Sequence, residues 1–292
     1  FVVIILVGMV CSAGAQEGVK IFGHRGCRAY YPENSIIGFQ KAIEMGVDGI
    51  ELDVVVNKDK QLVISHEPYF QSEFCLDGQG QKIANEKSYN IYEMTQEEIR
   101  TFDCGSIGNP KFPEQQAVSV HKPLLQELFD SLDLSVVTIL FEIKSLPKEY
   151  GKSQPAPEEY VKIILKELAT FPHRQNIVFM SFDPAILNEI NKQTQEFRMV
   201  YLTYLPFRAT KRFLKDLSFQ PHALGMFYPT VKRRKVRSLH QEGIKLFTWT
   251  VNDQKTAKKL IGFGVDGIIT DRPASVQFCS AGCTKSLSRT LN

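Results

Sequence analysis

Six short apolar runs, at residues 138–143, 176–182, 198–205, 223–228, 245–251 and 266–270, limit the fold more than any other feature of this chain. They alternate with five amphipathic stretches of helical period, at 157–171, 184–192, 209–217, 231–242 and 253–263. Regular alternation of strand and helix makes a parallel sheet whose faces are covered by the helices. No Gly-rich phosphate loop stands at any strand–helix junction, which speaks against a nucleotide-binding fold. A length of 292 residues with 43% hydrophobic content suits one large domain, and α/β barrels of about 250 residues fold as single units. The expected class is therefore an α/β barrel of the TIM (β/α)8 type, a single domain over residues 16–292.

The N-terminal part supplies the remaining strands. Residues 19–23 read as the first, and 35–45 as a helix with Asn34 or Ser35 as its cap and Gly46 as its stop. A second strand spans 49–56. Turn chemistry at Asn57-Lys58-Asp59-Lys60 then leads into an extended stretch at 62–65. A turn this tight implies an antiparallel hairpin, and folding it about Asp59 places His66 opposite Leu52. That makes nine strand candidates, so one half of the hairpin should lie outside a ring of eight. From 67 to 122 the apolar periodicity fades, with one helix expected near 95–102 behind a Thr95 cap; regular structure resumes with a helix at 124–132. A connection this long is a functional elaboration rather than a link, and its polar composition suggests no core of its own unless it docks on the barrel.

Side chains on a strand alternate, so Glu51 and Asp53 share one side. Two carboxylates so placed repel each other unless a cation lies between them. Glu142 ends another inner strand, and three oxygen donors without cysteine favour Mg²⁺ or Ca²⁺ over zinc. The alternative is a structural ion-pair cluster of these carboxylates with Arg25 and Lys144. His24, Glu51, Asp53, Glu142, Lys144, Trp249 and Asp271 all fall at or just beyond C-terminal strand ends, where barrels of this kind keep their active sites. Two histidines at converging strand ends, His24 and His66, suit acid and base roles. Arg25 and Lys144 would hold an anion, Arg as a planar fork and Lys as a point charge. Trp249, the only tryptophan, is either core or pocket wall. Asn34 would orient His24 or hold its loop, and Asp271 has a similar supporting place.

The order of motifs is specific. HRG at 24–26, PEN at 32–34, ELDV at 51–54, a strand ending in His66, FEIK at 141–144, TWTVN at 248–252 and GIITDRP at 267–273 resemble the glycerophosphodiester phosphodiesterase family over nearly the whole chain after residue 19. The resemblance implies a TIM barrel with a small insertion after the second histidine, at about 67–122. It also implies metal-dependent hydrolysis of glycerophosphodiesters to glycerol 3-phosphate and an alcohol. It places catalysis on His24 and His66, metal binding on Glu51, Asp53 and Glu142, and substrate contacts on Arg25, Lys144 and Trp249. The family usually has Asp directly after the second histidine, where this chain has Glu67. On this reading the insertion should roof the site and contact the alcohol end of the substrate. The rival readings are a lyase that stops at a cyclic phosphate and a non-catalytic phosphodiester-binding protein.

Residues 2–10 are almost wholly apolar and Ala13-Gly14-Ala15 follows, which reads as a secretory signal cut after Ala15 and truncated at its start. The expected location is therefore periplasmic or secreted, with no stable membrane span in the mature protein, since the run is too short for one. Among the cysteines beyond it, Cys75 and Cys104 share one loop-rich segment and are the best disulfide pair; Cys279 and Cys283 could close a small loop. Net charge is +3, and basic clusters at 208–215 and 232–237 carry no aromatic stacking pattern. They read as solvated helix faces, so a small-molecule substrate is expected and not a nucleic acid.

Overall fold

The computed structural model describes residues 18–204 and 214–276. The strand Gly49–Val56 (β2) organises it, with all eight residues buried. Beginning at Gly49, β2 pairs in parallel with Lys20–Gly23 (β1), through Phe22 opposite Gly49. Toward its end the same edge pairs antiparallel with Leu62–Ile64 (β3), through Val54 opposite Ile64. The other edge runs parallel to Thr138–Ile143 (β4) with Asp53 opposite Glu142. The sheet continues through Ile177–Ser181 (β5), Arg198–Thr203 (β6), Ala223–Phe227 (β7), Lys245–Trp249 (β8) and Gly267–Thr270 (β9), and closes where β9 pairs with β1. Eight parallel strands thus form the ring and β3 stands outside it, as the count of nine candidates requires. The hairpin register also holds. Ser65 N donates to Asp53 O at 2.9 Å, which continues the pairing so that His66 falls opposite Leu52.

The helices are Ile36–Glu44 (α1), Gln96–Ile99 (α2), Leu125–Ser131 (α3), Pro157–Leu168 (α4), Pro184–Gln193 (α5), Arg233–Gln241 (α6), Gln254–Phe263 (α7) and Pro273–Val276 (α8). Ser35, not Asn34, caps α1: its Oγ accepts from Gly38 N at 3.1 Å. Gly46 at φ +80° ends that helix in a conformation β-carbon-bearing residues avoid. The expected helix at 209–217 lies mostly outside the described residues, as do the signal segment and Cys279–Cys283.

Apolar side chains fill the barrel interior, among them Phe22, Leu140, Val178, Val200 and Phe247, and a larger cluster joins the sheet's outer face to the helices. The insertion gains its core by docking on the barrel, as its composition required. Phe70, Phe74, Ile83, Ile91, Ile99 and Phe102 form an apolar cluster that docks on Val55 and Val63 of the hairpin. Ile99 and Phe102 fall in the helix expected near 95–102, while the others are spaced without period and no strand or helix pattern announced them. The cluster is closed by a Cys75–Cys104 disulfide, while Cys27 is a buried free thiol.

Cross-linking positions 29 residues apart removes loop entropy from the unfolded chain, so the Cys75→Ala/Cys104→Ala protein should be less stable by about 3–4 kcal/mol. Urea unfolding of the two proteins checks this; equal midpoints would mean that the cluster alone holds the segment.

Candidate active site

The parallel register that sets Asp53 beside Glu142, and the strand alternation that turns Glu51 and Asp53 to one side, bring three carboxylates together at the barrel mouth. One oxygen of each lies within 4.8 Å of the others, and all three residues are buried. Glu51 Oε2 accepts from Arg25 N at 2.9 Å, but Glu51 Oε1 has no hydrogen-bond partner. Asp53 Oδ2 accepts from Asn34 Nδ2 at 2.9 Å, whereas Asp53 Oδ1 has no hydrogen-bond partner and only the Lys144 ammonium at 3.6 Å. Burial and repulsion from Asp53 and Glu142 push Glu51 well above the usual carboxylate range. Burial alone would also raise Asp53; His66, Arg25, Lys144 and the Asn34 bond outweigh it and hold it low. Two buried, hydrogen-bond-free oxygens in an all-oxygen donor set fit a hard divalent cation.

Asn34 therefore does not orient His24. Its side chain grips Asp53, with its Oδ1 also accepting from Asp53 N at 3.3 Å, and its backbone N–H ties the loop to Arg25 O at 3.0 Å.

Each histidine has its own carboxylate. His24 Nδ1 is 2.5 Å from Asp271 Oδ1, and its Nε2 faces Glu51 Oε2 at 3.9 Å. Asn252 fixes Asp271 from two directions, donating from Nδ2 at 2.7 Å and accepting the Asp271 N–H at 2.9 Å. Burial pushes His24 below the ordinary imidazole range, against the opposing pull of Asp271. Asp271 would be raised by burial, but His24, Arg28 and Asn252 hold it at about 2. His66 Nδ1 meets Glu67 Oε1 at 2.7 Å, so the longer acid at this position still reaches the histidine. The strand end that carries it is braced from below: the buried Lys122 donates to Ser65 Oγ at 2.7 Å, and Ser65 Oγ donates to Glu67 O at 2.6 Å. Burial lowers the Lys122 ammonium to about 8.

The cations are shared. Arg25 Nη1 meets Glu33 Oε1 at 2.7 Å and its Nε lies 3.3 Å from Asp53 Oδ2. Arg28 Nη2 reaches the other Glu33 oxygen at 2.9 Å, and its guanidinium sits 5.0 Å from the centre of the Phe112 ring. Lys144 Nζ donates to Glu142 Oε1 at 2.6 Å; burial would lower this ammonium, but Glu142 and Asp53 raise it to about 12. Glu33, Arg28 and Lys122 were not singled out by the sequence. Glu33 stood within PEN, but nothing in its spacing showed that the loop folds back to pair it with two arginines.

These groups surround a cavity of about 200 Å³. Of the residues the sequence nominated, His24, Arg25, Glu51, His66, Glu142, Lys144 and Trp249 are on its wall, and Asp53 lies buried behind it. Trp249 is thus pocket wall, set edge-on to Phe182 and Tyr204 at centroid distances of 5.5 and 4.9 Å. The insertion does not roof this cavity: within 67–122 no residue lines it, and Glu67 and Pro68 alone reach a neighbouring one.

Two carboxylate-held histidines beside an acidic triad and two cations can bind an anion and move protons to and from it. The chain belongs to the glycerophosphoryl diester phosphodiesterase family, whose sequence model matches residues 24–275. It is 28% identical over 256 residues to a glycerophosphodiester phosphodiesterase of Caldanaerobacter subterraneus subsp. tengcongensis, covering 88% of this chain and 95% of that one. A Silicibacter pomeroyi structure named for the same activity superimposes with a TM-score of 0.80 at 29% identity, over 90% of this chain and 92% of its own. An Oleispira antarctica phosphodiesterase solved with its product sn-glycerol 3-phosphate shares the fold, with a TM-score of 0.73 at 21% identity, over 90% and 96% of the two chains.

Glu33 gives the site a pH signature. Burial would raise its carboxyl, yet Arg25 and Arg28 hold it at about 2, below its usual value of 4.5. A depressed carboxylate contributes stability above the unfolded value, and that stability is lost as pH falls from 4.5 toward 2. Glu33→Gln should therefore cost on the order of 3 kcal/mol at neutral pH and flatten the acid limb over that window. Urea unfolding at about pH 7 and about pH 3 measures it; parallel pH profiles for the two proteins would show that Glu33 carries no such linkage.

Proposed function

We propose that this protein hydrolyses glycerophosphodiesters to sn-glycerol 3-phosphate and a free alcohol, with His24 and His66 as its proton-transferring pair. The observation that carries the reading is the cavity in which both histidines, each tied at Nδ1 to a carboxylate, face Arg25 and Lys144 beside the buried acidic triad. Glu51, Asp53 and Glu142 would hold Mg²⁺ or Ca²⁺, which when bound offsets negative charge developing on the phosphoryl oxygens. Arg25 and Lys144 would orient those oxygens, and Trp249 would wall the substrate. A base must start neutral, and the burial that lowers His24 keeps it so near pH 7. Asp271 and Glu67 hold the two rings and stabilise each imidazolium as it forms. The Caldanaerobacter relative bears the name of this activity, and the Oleispira structure holds the product it would release.

We further propose that residues 1–15 direct export, with 16–292 as one barrel unit carrying the 67–122 insertion. A Cys75–Cys104 disulfide suits an oxidising compartment. Among the described residues no helix is long and apolar enough to cross a membrane.

Phosphorus NMR of glycerophosphocholine incubated with the metal-supplied protein should show sn-glycerol 3-phosphate accumulating; a persistent cyclic phosphodiester would make the protein a lyase instead. His24→Ala and His66→Ala should each lose ~10²–10⁴ in turnover with the circular dichroism spectrum unchanged. Near-normal turnover in a folded His66→Ala protein would remove that residue from the mechanism.

A further inference from the structure

A second cavity, of about 410 Å³, adjoins the first and shares His66, Glu142, Lys144, Phe182 and Tyr204 with it. Its other walls come mainly from the loop after β4. Ile143 and Leu146 are apolar, and Glu149 lies at the end of a short 3₁₀ turn, Pro147–Glu149. The loop is held in place: Leu146 N donates to Gln154 Oε1 at 3.0 Å, Gln154 Nε2 donates to Ser145 Oγ at 3.1 Å, and Ser145 Oγ donates to Asp183 at 2.6 Å. Phe182 and Tyr204 stack at 4.7 Å and 12° on the shared side.

The charge of this cavity is one-sided. Lys144 is neutralised against Glu142 at 2.6 Å. Glu67 and Glu149 remain, and among the described residues neither has a Lys or Arg partner within ion-pair distance. Both are already served by a neighbouring donor, Glu67 by His66 Nδ1 and Glu149 by Ser153 Oγ at 3.1 Å. Each of these bonds takes one oxygen of its carboxylate, Glu67 Oε1 and Glu149 Oε2. Apolar walls, aromatic rings and negative charge together suit an organic cation.

A glycerophosphodiester has two ends. With the phosphoryl group between His66 and the cations and the glycerol beside the acidic triad, the alcohol that leaves is directed across the shared wall. Resting on the proposed function, we infer that the second cavity is the leaving-group subsite and that it selects cationic alcohols, of which choline is the probe, through Glu149 and the Phe182–Tyr204 face. The loop after β4 then sets head-group preference more than the 67–122 insertion, of which only Glu67 and Pro68 line the cavity.

The test pairs glycerophosphocholine with its uncharged isostere, the 3,3-dimethylbutyl ester, which has the same shape and no charge. The wild-type protein should favour the choline ester in kcat/KM by about three- to thirtyfold. Glu149→Gln should reduce that ratio at least threefold by slowing the choline ester alone, and Tyr204→Leu should reduce the ratio as well, whatever it does to the uncharged ester. A ratio near one in the wild type, or an unchanged ratio in both variants, overturns the inference. Choline titrated calorimetrically into the protein reads the subsite without turnover. Saturable binding that weakens in Glu149→Gln supports it, and absence of saturable binding overturns it. If choline binds but no diester is hydrolysed, the proposed function fails while the subsite stands.

Discussion

Mutual repulsion among three buried carboxylates is the constraint on which the rest of this molecule's mouth depends. Glu51, Asp53 and Glu142 are brought together by strand register, not by flexible loops, so they cannot move apart without breaking the barrel. The surroundings respond in different ways. Asn34 and Arg25 N–H donate hydrogen bonds to Asp53 and Glu51, and Lys144 and Arg25 place positive charge against Asp53 and Glu142. Even so, Glu51 is left high and one oxygen each of Glu51 and Asp53 stays without a hydrogen bond. Side chains alone leave the cluster incompletely satisfied, which is the physical basis for reading it as a cation site.

Around that centre the charges are tiered. Arg25 serves both Asp53 and Glu33, and Arg28 serves Glu33 and approaches Asp271 at 3.8 Å. Glu33 therefore ties the HRG loop to the second arginine, and Asp271 ties His24 to the far end of the chain, 247 residues away. His66 is held differently, by its own sequence neighbour and by Lys122 acting through Ser65. One histidine is thus fixed by barrel closure and the other by the joint between hairpin and insertion.

Much of this was legible in the sequence. Period-two alternation set Glu51 and Asp53 on one side, and the tight Asn57–Lys60 turn fixed the hairpin register that brings His66 opposite Leu52. The eightfold ring followed from strand–helix alternation, and the ninth strand fell outside it as the count required. The remainder depended on contacts that carry no period. Asn34 grips Asp53 because its loop turns through a positive φ of +53°, which brings the PEN segment back over β2. Phe70, Phe74 and Ile91 build a core for the insertion from irregular positions, so its composition read as polar. The second cavity arises where the loop after β4 packs beside the hairpin end, a juxtaposition that neither segment announces alone.

The most direct test of the account is crystallographic: crystals equilibrated with Mn²⁺, examined by anomalous scattering at the manganese edge. A single dominant peak is expected between Glu51, Asp53 and Glu142, within about 2.0–2.6 Å of one oxygen from each. A saturated crystal with no peak there, and with Lys144 and Arg25 still bonded to the carboxylates, would show the triad to be a structural ion-pair cluster and would contradict it.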